Sequence, residues 1–311
     1  QHSEQALIAA RQAGDDRLAV QVRATLGQAK AAAAQYGPAL TLLDEAIAIK
    51  RAHRSGAGQA VGLAYSLATK GSVLGDRGQF TAALACFDEA LEVVQGARHE
   101  VHASIHGLRA AVLLWQGRWE AARQSATDAF RIGEQVRSLF TLSMGRAAAA
   151  YARWMLDPQP KALQDLQHST DWLPPRGITL FRSLNHGWLA DGFASCGHHR
   201  EARAHAAQAL RRWREQDLIG GAMACRAMAR VQAQEGDPAR AERWLARARE
   251  IAACRESAHE QAVNTLCEAE IALDQQLDAR AAALLDAALR EFAAMGMSWH
   301  QERASRLLQR L

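Results

Sequence analysis

Three histidines, His99, His102 and His106, recur at intervals of three and four residues, with Glu100 beside the first. On a helix this spacing brings imidazoles onto one face, the arrangement by which a divalent transition metal is gripped. The pattern is not His-Glu-x-x-His, and no distant carboxylate is placed to complete a ligand set. These histidines therefore read as packed or solvated, with no metal and no other cofactor. His198 and His199 fall in a turn, where exposed polar residues are ordinary. Arg211, Arg212 and Arg214 cluster near a helix end, where cations complement the helix dipole; they read as a solvated face rather than a phosphate site. There is no phosphate loop ending in Lys-Ser/Thr, no Gly-x-Gly-x-x-Gly after a strand and no Gly-x-Ser-x-Gly elbow. With no nucleophile–base pair or metal set to assemble, the chain does not read as an enzyme.

The elements that would position any site are helical. Ala, Leu, Arg, Glu and Gln dominate the 311 residues, with only 6 prolines, and these are the strong helix formers. A hydrophobic share of 49% suffices for a continuous core. The net charge of +4 is too small an excess to imply nucleic acid. The five cysteines, Cys86, Cys196, Cys225, Cys254 and Cys267, include no Cys-x-x-Cys pair and suit reduced thiols in a cytoplasm. No stretch approaches the roughly 20 apolar residues of a membrane span. Gln1 to Ala13 reads as an amphipathic helix rather than a signal peptide. The first residue is not Met and the array below opens in mid-repeat, so a segment of a longer protein is expected.

A repeat organises the chain. Its mark is a turn, often Gly, followed by a small residue, a second residue four later and a third, usually Ala, three after that. Gly78 to Ala90 (with Ala83, Phe87 and Ala90) and Gly117 to Ala129 (with Ala122, Ala126 and Ala129) are the clearest copies. Others are Ala39/Leu43/Ala46, Ala162/Leu166/Ser169, Ala202/Ala206/Ala209, Ala241/Leu245/Ala248 and Ala281/Leu285/Ala288, and a half-copy, Ala6/Ala10/Ala13, opens the chain. The first anchors are separated by 33, 44, 39, 40, 40, 39 and 40 residues. Residues i, i+4 and i+7 share one helical face, and small side chains there let two helices approach closely. Upstream of the anchors a second helix carries Gly27, Gly71, Ala110, Ala150, Ala190, Ala229 and Ala269 at matching places. Gly- and Pro-bearing turns such as Gly117 and Asp237-Pro238 stop one helix and start the next. Longer connections are expected at Ser55–Gln59 and Thr170–Thr179, the latter with Trp172, Pro174 and Pro175.

This pattern resembles the tetratricopeptide repeat, most strongly at 65–94, where Gly71, Gly78, Phe80, Ala83, Phe87 and Ala90 all fit. It departs from it in period, near 40 residues here against the usual repeat of about 34. Lengthened repeats of this kind resemble the C-terminal sensor arrays of bacterial cyclase-linked or transcription-factor-linked ATPases. The close from Phe292 through Met295, Gly296, Met297 and Trp299 into a last helix is similar to the end of such arrays. The expected fold is all-α: a right-handed α-solenoid of about seven antiparallel helix pairs plus a C-terminal capping helix. The expected division of a single superhelical domain is a half repeat at 1–14, repeats at 15–54, 60–96, 100–137, 139–171, 178–216, 218–255 and 258–295, and the cap at 298–311. In the cap, Trp299, Ala304, Leu307, Leu308 and Leu311 face inward. The resemblance implies a non-catalytic protein- or peptide-binding module, a sensor or regulatory region of a bacterial cytoplasmic signalling protein. It implies as the alternative a small-molecule-sensing array that modulates an attached ATPase, cyclase or DNA-binding domain. No ATPase or cyclase motif lies in these residues.

In such a solenoid the first helix of each pair lines the concave side. Its inward stripe is aromatic- and Met-rich in the middle of the array, which suits recognition of a peptide or an amphipathic helix. The candidate groove residues are Tyr65, Trp115, Met144, Tyr151, Trp154, Met155, Asp191, Met223, Arg226 and Arg230, with the polar members setting register beside an apolar floor. The competing reading is that these large side chains fill a tightly wound superhelix. The expected partner is a protein or peptide in this groove, with no nucleic acid and no membrane; self-association is compatible with the residues but not implied by them. RNA reading by repeats would need polar pairs varying at fixed positions, and none recur.

Overall fold

The structure, a computed structural model, describes residues 14–52, 57–96, 99–172, 181–214 and 217–311, together with 5, 9 and 12. The opening half-copy Ala6/Ala10/Ala13 lies outside the described residues, as do Ser55 and most of the 170–179 connection. The first long connection is shorter than expected, because helix has already resumed at Ala57.

The described residues form fifteen α-helices and no strand. They pair as α1 (Asp16–Ala32) with α2 (Tyr36–Ala52), α3 (Ala57–Asp76) with α4 (Phe80–Val93), and α5 (Glu100–Gln116) with α6 (Trp119–Val136). Then follow α7 (Leu139–Leu156) with α8 (Pro160–Asp171), α9 (Arg182–Ser195) with α10 (His199–Arg214), α11 (Gly221–Gln234) with α12 (Pro238–Cys254), and α13 (Ala258–Asp274) with α14 (Asp278–Met295). Helix α15 (Ser298–Leu308) closes the array. The all-α solenoid is therefore observed.

Turn chemistry sets the pairing. Gly117 sits at φ +83° after α5 and lets the Arg118 amide reach back to the Leu113 carbonyl at 2.9 Å, a Schellman closure that satisfies carbonyls the helix leaves unpaired. At the start of α12, Asp237 accepts from the Arg240 amide at 2.9 Å and Pro238 occupies the first turn, where a missing N–H costs nothing. The repeat anchors do the packing. All of Ala39/Leu43/Ala46 through Ala281/Leu285/Ala288 are at most 5% exposed. Opposite them the chain must stay small: a Cβ on Gly71 would stand 3.0 Å from the Ala83 carbonyl oxygen.

The superhelix curls until its last repeats meet its second and third. One core joins Phe80, Phe87 and Val112 to Leu285, Phe292 and Ala304. Trp119 packs edge-on to Trp299 with ring centres 5.1 Å apart, and Trp115 stacks on His259 at 5.0 Å. The concave side is thus narrowed from within by α13–α15.

Candidate binding channel

One position per repeat builds the channel floor. It lies one residue after the small residue of each inner helix, and from α7 onward it carries Tyr151, Asp191, Arg230 and Glu270. These four side chains link across neighbouring repeats. The Tyr151 hydroxyl donates to Asp191 Oδ2 at 3.1 Å, and Arg230 donates to Asp191 Oδ1 at 2.6 Å and to Glu270 Oε2 at 3.2 Å. Arg303 of α15 completes the row, its Nε donating to Glu270 Oε1 at 2.7 Å. Burial works to lower the Arg230 pKa, but the flanking carboxylates more than offset it and hold the guanidinium charged. Burial and the Asp191 charge together push the Tyr151 hydroxyl well above its ordinary range, so it stays a neutral donor.

A second layer lies deeper. Arg226, one helical turn before Arg230, pairs with Glu260 and donates to Asn264 Oδ1 at 2.7 Å. Burial works to raise the Glu260 pKa; Arg226, His259 and Arg255 outweigh it and hold the carboxyl below its ordinary value. Trp188 stacks on Tyr151 with ring centres 5.1 Å apart. Between these groups is a chamber of about 80 Å³, which opens to a vestibule of about 740 Å³. The two share Met155, Asp191, Arg230, Glu270, Trp299 and Arg303 as walls.

Seven of the sequence candidates, Trp115, Tyr151, Met155, Asp191, Met223, Arg226 and Arg230, line the chamber, and Trp154 lines the vestibule. Two lie elsewhere. Tyr65 faces α5, its hydroxyl 3.4 Å from Glu100 and its ring edge-on to His99. Met144 packs its sulfur against Gly107, where an added Cβ would stand at 3.0 Å. Several wall residues were not singled out as site candidates: Trp188, Glu260, Glu270, Trp299 and Arg303. Trp188 carried a usable signal, since it precedes Asp191 by three on the same helix face. Arg303 carried none, because α15 lies outside the repeat.

The three spaced histidines are accounted for locally. His99 caps α5, its Nδ1 accepting from the Val101 amide at 3.0 Å, and His102 stacks on His106 at 5.4 Å. Burial pushes the His106 pKa down to about 4. Among the described residues no group of three or more His, Cys, Asp or Glu side chains converges as a metal ion would require. Arg211 donates to Gln208 at 2.6 Å; the side chain of Arg214 lies outside the described residues. Among the described residues no helix is long and apolar enough to cross a membrane.

The fold and the repeat define the class. A tetratricopeptide repeat family model matches residues 62–135, and the helix pairs before and after that stretch continue the same architecture. Over its whole length the chain has the fold of a helix-pair solenoid, and within it residues 62–135 match the tetratricopeptide repeat. It is similar over 94% of its length, and over 96% of the other chain, to a Rap protein complexed with competence and sporulation factor, at 14% identity and a TM-score of 0.57. It also aligns with a tetratricopeptide repeat protein from Parabacteroides merdae ATCC 43184, at 17% identity and a TM-score of 0.46 over 99% of this chain and 98% of that one. The apo form of RapI aligns at 12% identity and a TM-score of 0.47 over 94% and 85%. No curated protein matches the sequence.

Proposed function

We propose that this chain is a non-catalytic binding module that holds a short peptide, or a peptide-like segment of a protein partner, in the channel between α7 and α15. The observation that carries the reading is the row Tyr151–Asp191–Arg230–Glu270–Arg303, running beside the apolar surfaces of Trp154, Met155 and Trp299 at the mouth of a vestibule of about 740 Å³. Alternating donors and acceptors can exchange partners with a peptide backbone, while Met and aromatic surface gives contact area at low entropic cost. The carboxylates lining the chamber, Asp191, Glu260 and Glu270, are each bonded to an arginine, which favours recognition over proton transfer. The Rap protein of similar fold was solved as a complex with a factor, in keeping with a ligand-holding array. In this reading the module serves as a regulatory region in bacterial cytoplasmic signalling, the role that the resemblance of its lengthened repeats implies.

The inner chamber favours a second reading. At about 80 Å³ it admits a small polar group and no peptide chain, which fits an array that senses a small molecule and modulates an attached ATPase, cyclase or DNA-binding domain.

Peptides selected by display against the whole chain, then titrated by fluorescence anisotropy, test the first reading. Replacing Met155 and Arg303 by Ala should weaken a selected peptide by about tenfold or more, in line with losing one apolar anchor and one charged contact, while a single cooperative thermal melt is retained. Unaltered affinity in the folded double variant removes the channel from consideration. Stabilisation by a metabolite in a thermal-shift screen, with no peptide selected, selects the second reading.

A further inference from the structure

Among the described residues, Lys50 is a cation with no anion beside it. Its Nζ donates to the Gly62 carbonyl at 2.9 Å and to Ser66 Oγ at 3.0 Å, both neutral acceptors. The other lysine with a described partner on these helices, Lys70, is paired with Asp44 at 2.6 Å. Withdrawal from water alone, with no charge partner contributing, pulls the Lys50 pKa down to about 8. An ammonium has three donors, and two are used.

Beside this ammonium is a cavity of about 600 Å³, bounded by the start of α1, the end of α2 and the start of α3. Leu18, Val20 and Ile49 give it apolar walls. Leu18 is one of the few large apolar side chains left exposed, at 48%, and it belongs to this wall. The other charged residues facing the cavity, Asp16 and Arg17 on α1, are of opposite sign and cancel; on α3 the lining residues Gly58, Gln59 and Gly62 are uncharged. The volume falls within the range of small-molecule sites, which pair an apolar lining with a few fixed polar groups.

The geometry points to a second ligand site here, separate from the channel: an apolar pocket for an aliphatic monocarboxylate, its carboxylate taking the free donor of Lys50 and its chain lying along Leu18, Val20 and Ile49. The charge count chooses the class. One uncompensated positive charge matches one carboxylate, whereas a phosphate monoester would bring a second negative charge that no described residue on this wall balances. A neutral lipid would leave the half-buried ammonium with no counter-charge among the described residues. The Lys50 stem is itself part of the apolar wall, as long basic side chains commonly are.

Decanoate, decanol and decyltrimethylammonium are the probes, used on the whole chain by calorimetry at neutral pH. Decanoate should bind once per chain, and Lys50→Met should weaken it by about tenfold to a hundredfold, the range of one charged hydrogen bond. Decanol should bind weakly and equally to both proteins, and decyltrimethylammonium should not bind. A readout in the unmodified protein stands beside this. The chain has only four lysines, Lys30, Lys50, Lys70 and Lys161, so brief acylation followed by peptide mass spectrometry resolves each one. Decanoate should slow acylation of Lys50 by about tenfold, as expected when a charged hydrogen bond holds the amine protonated, and leave the other three unchanged. Decanoate and decanol binding alike to both proteins, or Lys50 acylating equally fast with and without decanoate, would overturn the proposal.

Discussion

Asp76 and Arg255 stand 179 residues apart in the chain and meet as a buried, two-pronged ion pair, with Arg255 Nε and Nη2 at 3.2 and 2.5 Å from the two carboxylate oxygens. Around Asp76 the Ser257 hydroxyl donates at 2.8 Å, His259 Nε2 lies at 3.1 Å, and the Tyr36 hydroxyl donates as well. Arg255 in turn donates to the Ile219 carbonyl at 2.7 Å. Burial works to raise the Asp76 pKa; Arg255, His259 and Tyr36 outweigh it and hold the carboxyl far below its ordinary value. Four repeats thus share one buried carboxylate. A solenoid repeat otherwise touches only its neighbours, so this hub joins its two halves and narrows the channel.

Arg255→Met should lower stability by about 3–5 kcal/mol, because it strands a buried charge rather than merely deleting a bond. The double change Asp76→Leu with Arg255→Met should recover part of that loss. Urea denaturation followed by circular dichroism measures both, and X-ray scattering should show a larger radius of gyration for the single variant. A loss under about 1 kcal/mol would mean that the hub is not what holds the closure.

The repeat was legible because it is local. Ala83, Phe87 and Ala90 announce a close helix crossing by spacing alone, and all three are fully buried. The channel floor was partly legible for the same reason, since Tyr151, Asp191 and Arg230 recur at one register. The closure was not. Nothing within a repeat's length of Asp76 marks its partner, and Arg255 stands in a turn between repeats, away from the anchor positions. Trp115 was legible as inward-facing, but its stacking on His259 depends on how far the whole superhelix curls.

Gly145 sits against the neighbouring helix. An added Cβ would stand 2.7 Å from the Ala126 carbonyl oxygen and 2.9 Å from the Phe130 amide nitrogen, backbone atoms that no side-chain rotation can move. Gly145→Ala should therefore destabilise by about 1–3 kcal/mol, despite the gain of about 1 kcal/mol in helix propensity. Gly37 in α2 has nothing within 4 Å of its added Cβ, so Gly37→Ala should stabilise by up to about 1 kcal/mol. Paired thermal melts check the opposite signs; equal signs would contradict the close α6–α7 approach.

Acid sensitivity should come from buried histidines. Burial, reinforced by His205, holds the His186 pKa down to about 3; burial, reinforced by His259, does the same for His300. Both stay neutral in the fold while the unfolded chain takes up their protons near pH 6.5. Because the folded pKa values are depressed, stability is level above about pH 6.5 and falls as pH drops below it, by about 1.4 kcal/mol per pH unit for each histidine. Between pH 7 and 5, before carboxylates titrate, the two should cost about 4 kcal/mol together. His106, held down to about 4, adds a similar share, so His300→Phe, in a pocket already formed by Phe292, Trp119 and Trp299, should remove about a third of the slope that urea melts read across the range.

Thiol reactivity should separate the repeats and report on the hub. Cys196 and Cys254 are exposed, whereas Cys225 and Cys267 are fully buried among Ala, Leu and Ile side chains. Burial pushes the Cys225 thiol up to about 12 and raises that of Cys267, and only the thiolate is nucleophilic. A chromogenic disulfide at mildly alkaline pH should label Cys196 and Cys254 at once, and the buried pair only as fast as their repeats open. Arg255→Met loosens the turn between α12 and α13, so it should speed labelling of Cys267, which lies on α13, more than that of Cys86 on α4. Equal acceleration at both would mean that the two halves of the superhelix open as one unit; none at either would mean that the hub does not restrain the C-terminal repeats.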